Sequence, residues 1–502
     1  MVQLGNPFTY YKLLEAVLEM RDEGLLVALQ DLGAAGLSSS SSEMASKGGV
    51  GIDMDISRVP LRERGMEPFE IMISESQERM LALIKPERED EVMAVCAKWD
   101  LDANVIGKVT DSHSLRVFNG DELIADMPVD ALVDDAPTYI VKAVRPAHEV
   151  DEPLAEDHYT SPTDLNETLT TMLRSPNICD KSWVYRQYDH MVQTNNALWP
   201  GASAAVLRLK GRRQGIALTT DGNGRRCYLD PRRGARAVVA EAARNLSCAG
   251  AKPLAITNCL NFGNPEKGEI YYQFGEAIEG ISEACEAFET PVTGGNVSFY
   301  NESFGQAVYP NPVVGMMGIV EDVRLIQTPG FKDEGDVIIL LGNARPAVDG
   351  SEYQLRIHGE VAGRNPDVDL EMEKKLQLLV RESILERVAK SAHDVSDGGL
   401  ACCLAESAIQ GGRGAVVELE SNQRADLLLF GETPGLIVIT VAEKNLEAFA
   451  QLELDLPKAV IGRVGGDRLQ IKSGGRDQID IPVARIKHAW EIALETLIGD
   501  AG

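Results

Sequence analysis

The stretch Asp394-Val-Ser-Asp-Gly-Gly399-Leu400 decides the fold, because a related stretch, Asp31-Leu-Gly-Ala-Ala-Gly36-Leu37, stands 363 residues before it. The same spacing relates a set of acidic and small residues, Glu43, Ala45, Gly48, Gly49 and Gly51, to Glu406, Ala408, Gly411, Gly412 and Gly414. A later match, Glu75-Ser76 against Glu432-Thr433, has a slightly shorter spacing, as loop deletions would cause. A period this long indicates a duplicated domain and not a solenoid repeat.

Each copy predicts a strand, a glycine-containing turn and a helix. In the first copy a helix starts at Asn6-Pro7 and is closed by Gly24, and an apolar strand from Leu25 to Leu29 then leads to Asp31. After the turn, a capping box formed by Ser40 and Glu43 is expected to open the next helix. In such a unit the residues at the end of the strand face a crevice.

Composition changes along the chain separate the two copies. We predict a first copy over residues 1–140, a connecting segment with one short helix over 141–183, a different middle module over 184–330, and a second copy over 331–502. The connecting segment is rich in Pro, Asp, Glu and Thr. The middle module is expected to contain two early strands and a long helix from Gly234 to Ala249, stopped by Gly250.

Charge and cysteine usage limit the class of protein. The net charge of −28, from 77 acidic and 49 basic residues, argues against a nucleic-acid partner, although a local basic pocket could still hold a phosphate. The eight cysteines form no CxxC pair and indicate reduced thiols in a cytoplasmic protein. No segment is apolar over enough residues to predict a membrane span, and no secretory signal is seen.

The middle module holds glycines next to amide and hydroxyl side chains. Asn258-Cys-Leu-Asn-Phe-Gly-Asn-Pro265 and Thr293-Gly-Gly-Asn-Val-Ser298 are the clearest examples. Glycine lets backbone amides approach a ligand closely, and amide or hydroxyl oxygens bind phosphates or complete the shell of a hard cation. The alternative for an isolated Gly-Gly-Asn is a tight turn without a ligand.

Several motifs together resemble a known family. They are Gln30-Asp-Leu-Gly-Ala-Ala-Gly36, Ser74-Glu-Ser-Gln-Glu-Arg79, Gly250-Ala-Lys-Pro253, Asn258 to Pro265, Gly294-Gly-Asn-Val-Ser298 and His393-Asp-Val-Ser-Asp-Gly-Gly399. The chain resembles, over essentially its whole length, the synthetase subunit of phosphoribosylformylglycinamidine synthase of the small bacterial type. The resemblance implies an α/β (α+β) fold of aminoimidazole ribonucleotide synthetase-like modules. Two C-type α/β domains would flank one N-type, barrel-forming domain.

The resemblance also implies an activity. The family converts formylglycinamide ribonucleotide, ATP and glutamine-derived ammonia to formylglycinamidine ribonucleotide, ADP and phosphate in purine biosynthesis. It uses Mg²⁺, and its implied partners are a glutaminase subunit and a small accessory subunit. Because an amide oxygen is a poor leaving group, its phosphorylation to an iminophosphate lets ammonia displace phosphate.

Site residues follow by position from the same resemblance. The expected substrate contacts are Gln3, Glu75, Ser76, Gln77 and Ser298, the expected nucleotide contacts are Asn258 and Gly295, and the expected metal ligands are Asp31 and Asn296. Three of these have other interpretations. Asp31 could cap the following helix, Glu75 could be a surface carboxylate, and Gln3 could lie in a disordered terminus.

The family's catalytic histidine and its ATP-binding lysine belong to a first N-type module, for which this sequence shows no motif. We therefore expect no catalytic residue in this chain, and a chain that lacks its amino-terminal portion and is inactive alone. His393 is expected to be structural or part of a degenerate site. Two alternatives remain: a non-catalytic nucleotide-binding module of the same fold, or another ATP-dependent phosphorylating member of the superfamily.

Overall fold

The computed structural model describes residues 5–61, 63–75, 78–342, 345–452 and 454–499. The chain divides into two compact units, unit 1 over Met1–Ile140 and unit 2 over Val141–Gly502. Among the described residues, no helix is both long and apolar enough to cross a membrane.

Unit 1 alternates short strands and helices. Its helices are α1 (Pro7–Asp22), α2 (Gly36–Gly48), α3 (Pro68–Ile73), α4 (Glu89–Lys98) and α5 (Val129–Leu132). Its strands are β1 (Leu26–Asp31), β2 (Gly51–Asp55), β3 (Met80–Ile84), β4 (Gly107–Thr110), β5 (Ser114–Asn119) and β6 (Glu122–Pro128).

Unit 2 contains the connecting segment, the middle module and the second copy. The helices are α6 (Leu165–Leu173), α7 (Ser182–Tyr185), α8 (Gly224–Leu229), α9 (Pro231–Cys248), α10 (Gly268–Phe288), α11 (Leu370–Leu385), α12 (Gly399–Gly411), α13 (Ala425–Phe430), α14 (Leu446–Ala450) and α15 (Val483–Gly499). The strands up to the second copy are β7 (Asn196–Leu198), β8 (Ala205–Arg208), β9 (Gly215–Asp221), β10 (Lys252–Asn261), β11 (Val292–Ser298), β12 (Glu302–Ser303), β13 (Gln306–Ala307) and β14 (Asn311–Val320). Those of the second copy are β15 (Val337–Leu341), β16 (Ala389–Asp394), β17 (Ala415–Leu419), β18 (Ile437–Val441), β19 (Lys458–Val464), β20 (Arg468–Ser473) and β21 (Arg476–Pro482).

The predicted duplication is confirmed element by element. Helix α1 and helix α11, strand β1 and strand β16, and helix α2 and helix α12 begin and end at positions 363 residues apart. The tight turn before α2 and α12 is also shared. Gly36 and Gly399 both have positive φ, and a Cβ at Gly36 would lie 2.2 Å from the carbonyl oxygen of Ser74, while one at Gly399 would lie 2.6 Å from that of Gly431. Glycine is therefore required at both positions.

The start of α2 differs from the sequence prediction. The helix begins at Gly36 after an Ala35 N-cap that offers no side-chain hydrogen bond, so the expected capping box at Ser40 and Glu43 is wrong. The Ser40 hydroxyl instead donates to the carbonyl oxygen of Gly36 at 2.9 Å, inside the helix. Asp31 does not cap this helix either, and the glycine turn alone sets its start.

The sheets of the two copies differ in continuity. In the second copy one seven-stranded sheet runs in the order β16-β18-β15-β19-β17-β20-β21, and β15 pairs with both β18 and β19. Unit 1 has the counterparts of the other six strands, arranged as a β1-β3 pair and a β4-β2-β5-β6 sheet. A counterpart of β15 is not present among the described residues of unit 1, and this accounts for the division of its sheet.

The middle module is a six-stranded sheet covered on one face by helices. Its order is β11-β10-β14-β9-β8-β7, and alternate residues of β14, such as Val314 and Met316, are buried against α9 and α10. The other face carries Leu218 and its cross-strand neighbour Met317, which are 42% and 40% exposed. The expected barrel strands thus form an open sheet within the described residues, with β11 at one edge.

The connecting segment contains the expected short helix, but this helix is part of a domain core. Helix α6 is capped by Asp164 and buries Leu165, Leu169, Met172 and Leu173 in the core of the second copy. The regularly spaced apolar side chains of this helix therefore pack against a domain that is distant in sequence.

Candidate functional site

In unit 1 the end of strand β1 brings two predicted residues together. Asp31 is the last residue of β1, is exposed, and forms no ion pair with any described residue. The backbone N–H of Ala35, in the loop that follows, donates to the Glu75 carboxylate at 3.1 Å. The loop after Asp31 is thus fixed to Glu75. The Asp31 carboxylate at this strand end remains accessible to a cationic ligand.

The second copy repeats this contact. The backbone N–H of Gly398, the counterpart of Ala35, donates to the Glu432 carboxylate at 2.6 Å. Glu432 also accepts from the backbone N–H of Glu352 at 2.9 Å. In both copies, therefore, the loop after the strand is held by a hydrogen bond from its backbone to a glutamate carboxylate.

The two copies differ in what neutralises the acidic groups. Asp394, the counterpart of Asp31, accepts a hydrogen bond from Nε of Arg244 at 2.5 Å, and Glu373 accepts another from Nη1 of the same side chain at 2.5 Å. The side chains of Arg244, Glu373 and Asp394 are 2%, 1% and 3% exposed. An arginine from helix α9 of the middle module thus occupies the strand end of the second copy.

A second arginine closes the other side of this region. Arg226 lies 3.1 Å from Glu432, the counterpart of Glu75, and both side chains are buried. The space left among Asn223, Glu241, Arg244 and Asp397 is a cavity of about 10 Å³, close to the smallest volume that holds one water molecule. The second copy's strand end is therefore filled by the protein's own ion pairs.

The residue before each strand-end aspartate makes an equivalent contact. Gln30 donates to Glu43 at 3.4 Å, and His393 Nε2 lies 3.0 Å from Glu406 in the matching position. His393 thus joins strand β16 to helix α12. This structural role is one of the two that the sequence suggested for it.

Burial changes the acidity of this cluster. Desolvation raises the pKa of Glu373 to about 7 even though Arg244 opposes the shift. It also raises the pKa of Asp221 and of Glu432 to about 7, while hydrogen bonds from Thr219 and Asn245 partly offset it at Asp221. The pKa of the fully buried Glu241 carboxyl is raised by desolvation and by neighbouring carboxylates.

We expect stability to fall as pH rises through this range. A carboxyl group whose pKa is higher in the folded than in the unfolded chain binds more protons when folded, so its contribution is greatest below about pH 4 and is lost as pH approaches 7. Each such group contributes at most about 1.4 kcal/mol per pH unit. Urea unfolding between about pH 5 and pH 7 in chelator-containing buffer measures the slope, and Asp221→Asn should flatten it. An unchanged slope in that variant would show that Asp221 does not titrate in this range.

In unit 2 the predicted nucleotide residues lie on two neighbouring parallel strands. Asn258 of β10 pairs with Gly295 of β11, and the next residue of β11 is Asn296. A Cβ on Gly295 would lie 2.0 Å from the side-chain oxygen of Asn258. Gly295 is therefore required by the close approach of the Asn258 amide, a physical reason for glycine that does not depend on a tight turn.

Asn296 and Ser298 continue along the edge strand. Asn296 is exposed, and its amide nitrogen lies 3.8 Å from Sγ of Cys259. The Ser298 hydroxyl lies 3.3 Å from the side-chain oxygen of Asn301, whose amide nitrogen also donates to the Ser298 carbonyl at 2.9 Å. The structure thus places Gly295, Asn296 and Ser298 on the edge strand β11 and Asn258 on the adjacent strand β10, with Asn301 orienting the serine.

Some predicted residues cannot be placed. Gln3, Ser76 and Gln77 lie outside the described residues, so their assignment as substrate contacts stays a prediction. Asp31 and Glu75 belong to unit 1, whereas Asn258, Gly295, Asn296 and Ser298 belong to unit 2.

Sequence reasoning missed the residues that fill the second copy's strand end. Arg244 lies within helix α9, 150 residues before Asp394, in a run of alanines and other small residues. One signal was present: an arginine on the apolar face of a helix must meet a buried acid or remain uncompensated. Asn301 was missed because nothing in its local sequence distinguishes it from a turn residue.

Comparison with known families agrees with this architecture. The model of the AIR synthase related protein C-terminal domain matches residues 1–119 and again 333–472, and that of the N-terminal domain matches residues 201–320. The fold and its two strand-end loops define an AIR synthase-related protein in which, along the chain, one N-type domain stands between two C-type domains.

Relatives of known name narrow the family. The chain is 48% identical over 501 residues to the phosphoribosylformylglycinamidine synthase subunit PurL of Moorella thermoacetica, covering 99% of this chain and 68% of that protein. Solved structures of T. maritima PurL complexed with ATP and with FGAR are each 28% identical and cover 93% of this chain, with TM-scores of 0.64 and 0.66. The alignments cover 68% of the chain in the ATP complex and 66% of the chain in the FGAR complex. The chain belongs to the PurL family.

The comparisons confirm some of the expectations drawn from the sequence and leave others as predictions. The α/β fold of synthetase-like modules and the family are confirmed. The alignment covers 99% of this chain and 68% of the Moorella thermoacetica relative, and the expectation that an amino-terminal portion is missing stays a prediction. The roles of the individual site residues stay predictions.

Proposed function

We propose that this chain carries out the PurL reaction, the ATP-dependent conversion of formylglycinamide ribonucleotide to formylglycinamidine ribonucleotide in purine biosynthesis. The observation that carries the proposal is the difference between the two copies. Asp31 is exposed and without an ion pair among the described residues, whereas its counterpart Asp394 is neutralised by Arg244. Among the described residues, the first copy thus keeps in Asp31 a strand-end carboxylate that no arginine neutralises.

The chemistry follows from the substrates. The amide oxygen of formylglycinamide ribonucleotide takes the γ-phosphoryl group of ATP, giving an iminophosphate and ADP. Ammonia then forms the new C–N bond as phosphate leaves. Protein groups must bind and orient the two substrates, since holding reactants in line removes much of the barrier. The proposed substrate contacts in this chain are Glu75 and Ser298, with Gln3, Ser76 and Gln77 outside the described residues.

Mg²⁺ is the proposed metal, and the residues present fit it. Magnesium prefers oxygen ligands and is usually held by one or two carboxylates together with substrate phosphates. In unit 1, Asp31 offers an exposed carboxylate, and in unit 2, Asn296 offers an exposed amide oxygen on the edge of the sheet. When bound, the metal neutralises charge on the transferred phosphoryl group.

Partners and location follow from the family. One of the similar solved structures is that of PurLQS from Thermotoga maritima. We propose a glutaminase subunit and a small accessory subunit as partners of this chain. The glutaminase would supply ammonia. The eight cysteines are all free, which supports the proposed cytoplasmic location.

The activity test uses the chain with its proposed partner subunits. Formylglycinamide ribonucleotide, ATP, Mg²⁺ and glutamine are added, and ADP release and formylglycinamidine ribonucleotide are both measured. The proposal predicts ADP release that depends on formylglycinamide ribonucleotide and matches product formation. ADP release without product, or no substrate-dependent release, would reject it.

Nucleotide binding is expected to depend on Asn296. Asn296→Ala should weaken binding of Mg²⁺-ADP by about 1–3 kcal/mol, because it removes the exposed amide that is proposed to contact the phosphates and the metal. Isothermal titration calorimetry measures the change. Asn422→Ala, an exposed asparagine in a loop of the second copy, is the matched control and should bind normally. Equal affinities for the two variants would remove Asn296 from the nucleotide site.

A further inference from the structure

A basic pocket in unit 2 is lined by none of the residues assigned above. It is formed where the segment after β14 meets the end of α11 and the start of β16, and its volume is about 540 Å³. Its polar lining consists of Arg324, Gln327, Lys332, Asp333, Arg387 and Lys390. We call it the Lys332 pocket. Its volume is within the roughly 300–1,000 Å³ typical of small-molecule sites.

The charge of this pocket is opposite to that of the whole chain. Four cationic side chains and one carboxylate line it, whereas the chain carries a net charge of −28. Two of the cations are already paired: Arg324 with Asp322, and Lys390 with Asp333 and Asp336. The other two are not.

Lys332 and Arg387 form no ion pair with any described residue. The Lys332 ammonium donates to the hydroxyl of Thr328, a neutral acceptor, and burial lowers its pKa. A half-buried ammonium without a counter-charge costs free energy that an anionic ligand would recover.

The walls of the pocket are fixed in place. The Gln327 side chain donates to the carbonyl oxygen of Ala389 at 3.1 Å. The backbone N–H of Ala392 donates to the carbonyl oxygen of Thr328. Arg387 has a φ of +59°, a left-handed conformation that a non-glycine residue adopts only where its surroundings enforce it. The left-handed turn at Arg387 follows the end of α11, where this residue lines the pocket.

We propose that the Lys332 pocket binds a small anion of the phosphate class. Lys332 and Arg387 would supply the two uncompensated positive charges, and Asp333 would limit the affinity by repulsion. The pocket shares no residue with Asp31, Glu75, Asn258, Gly295, Asn296 or Ser298. The proposed anion contacts are therefore a different set of residues from the proposed active-site contacts.

Pyrophosphate is the probe, titrated by calorimetry into the full chain. Lys332→Met and Arg387→Gln should each weaken binding at least about tenfold, because each removes a charge-assisted contact. Asp333→Asn should strengthen it several-fold. Lys487→Met, an exposed lysine of α15 that pairs weakly with Glu491, is the matched control and should bind as the unaltered chain does. Arg387 is exposed, so its replacement should leave folding intact.

Each outcome decides the proposal. Equal affinity for the unaltered chain, Lys332→Met and Arg387→Gln would place the anion elsewhere, and binding without saturation would indicate an adventitious ion only; both overturn the proposal. Asn296→Ala should leave the Lys332-dependent part of pyrophosphate binding unchanged. This result would distinguish the Lys332 pocket from the nucleotide site. A parallel titration with ADP shows whether the ligand is a nucleotide or a free phosphate.

Discussion

Replacing Arg244 with methionine is expected to destabilise the protein by about 3–5 kcal/mol. Arg244 is 2% exposed and is bonded to Glu373 and Asp394, so its removal leaves two acidic groups buried without a counter-charge. Since Glu373 already has a raised pKa, it takes up a proton more readily at low pH, and the loss should be smaller near pH 5 than near pH 8. Urea unfolding at both pH values measures it.

Two further variants test the cause of this loss. Arg485→Gln removes an exposed arginine that lies 3.5 Å from Glu167, and it should change the free energy of unfolding by less than about 1 kcal/mol. Adding Glu373→Leu to Arg244→Met removes one of the stranded acids and should restore part of the stability. A loss of less than about 1 kcal/mol in Arg244→Met would show that the buried ion pairs contribute little.

Replacing Asp31 with asparagine is expected to reduce the activity of the assembled synthase by roughly 100-fold or more, about 2.7 kcal/mol of barrier. Asparagine keeps the size of the side chain but removes the negative charge proposed to hold Mg²⁺. Because Asp31 is exposed and unpaired within the described residues, folding stability should not change. Product formation is measured at saturating and at low Mg²⁺.

The matched control is Asp102→Asn, which alters another exposed carboxylate of unit 1 and should keep the full rate. If higher Mg²⁺ partly rescues Asp31→Asn, the loss arises from metal binding. A full rate in Asp31→Asn would make Asp31 a loop residue without a chemical role. The rival interpretation that it caps helix α2 is already wrong, because the cap of that helix is Ala35.

Much of the fold was predictable because its signals are local. Helix α1 begins after Asn6 and ends before Gly24, as the sequence indicated. Both signals could be recognised because each of these residues lies close to an end of the helix in the chain. The positions of strand β1 and of Gly36 were equally clear. The capping box was wrong because its pattern fitted the sequence while the glycine turn had already started the helix.

The candidate site was predictable only as far as it is built from short motifs. Asn258 and Gly295 were named from separate stretches, and the parallel pairing of β10 with β11 places them side by side. Asn301, which orients Ser298, had no such motif. The connecting segment was taken for a linker because the core that buries Leu169 is formed by residues far along the chain.

The sequence alone determined the duplication, the order of the modules and the conformation of both strand-end turns, because repeated glycines and acidic residues have the same local requirements in each copy. Only the tertiary structure decided that the two copies differ in the charge they leave available. Arg244 reaches Asp394 across 150 residues of chain, and burial then fixes the pair away from water. The charge that a carboxylate presents depends on which distant side chains fold against it, and local sequence does not encode this.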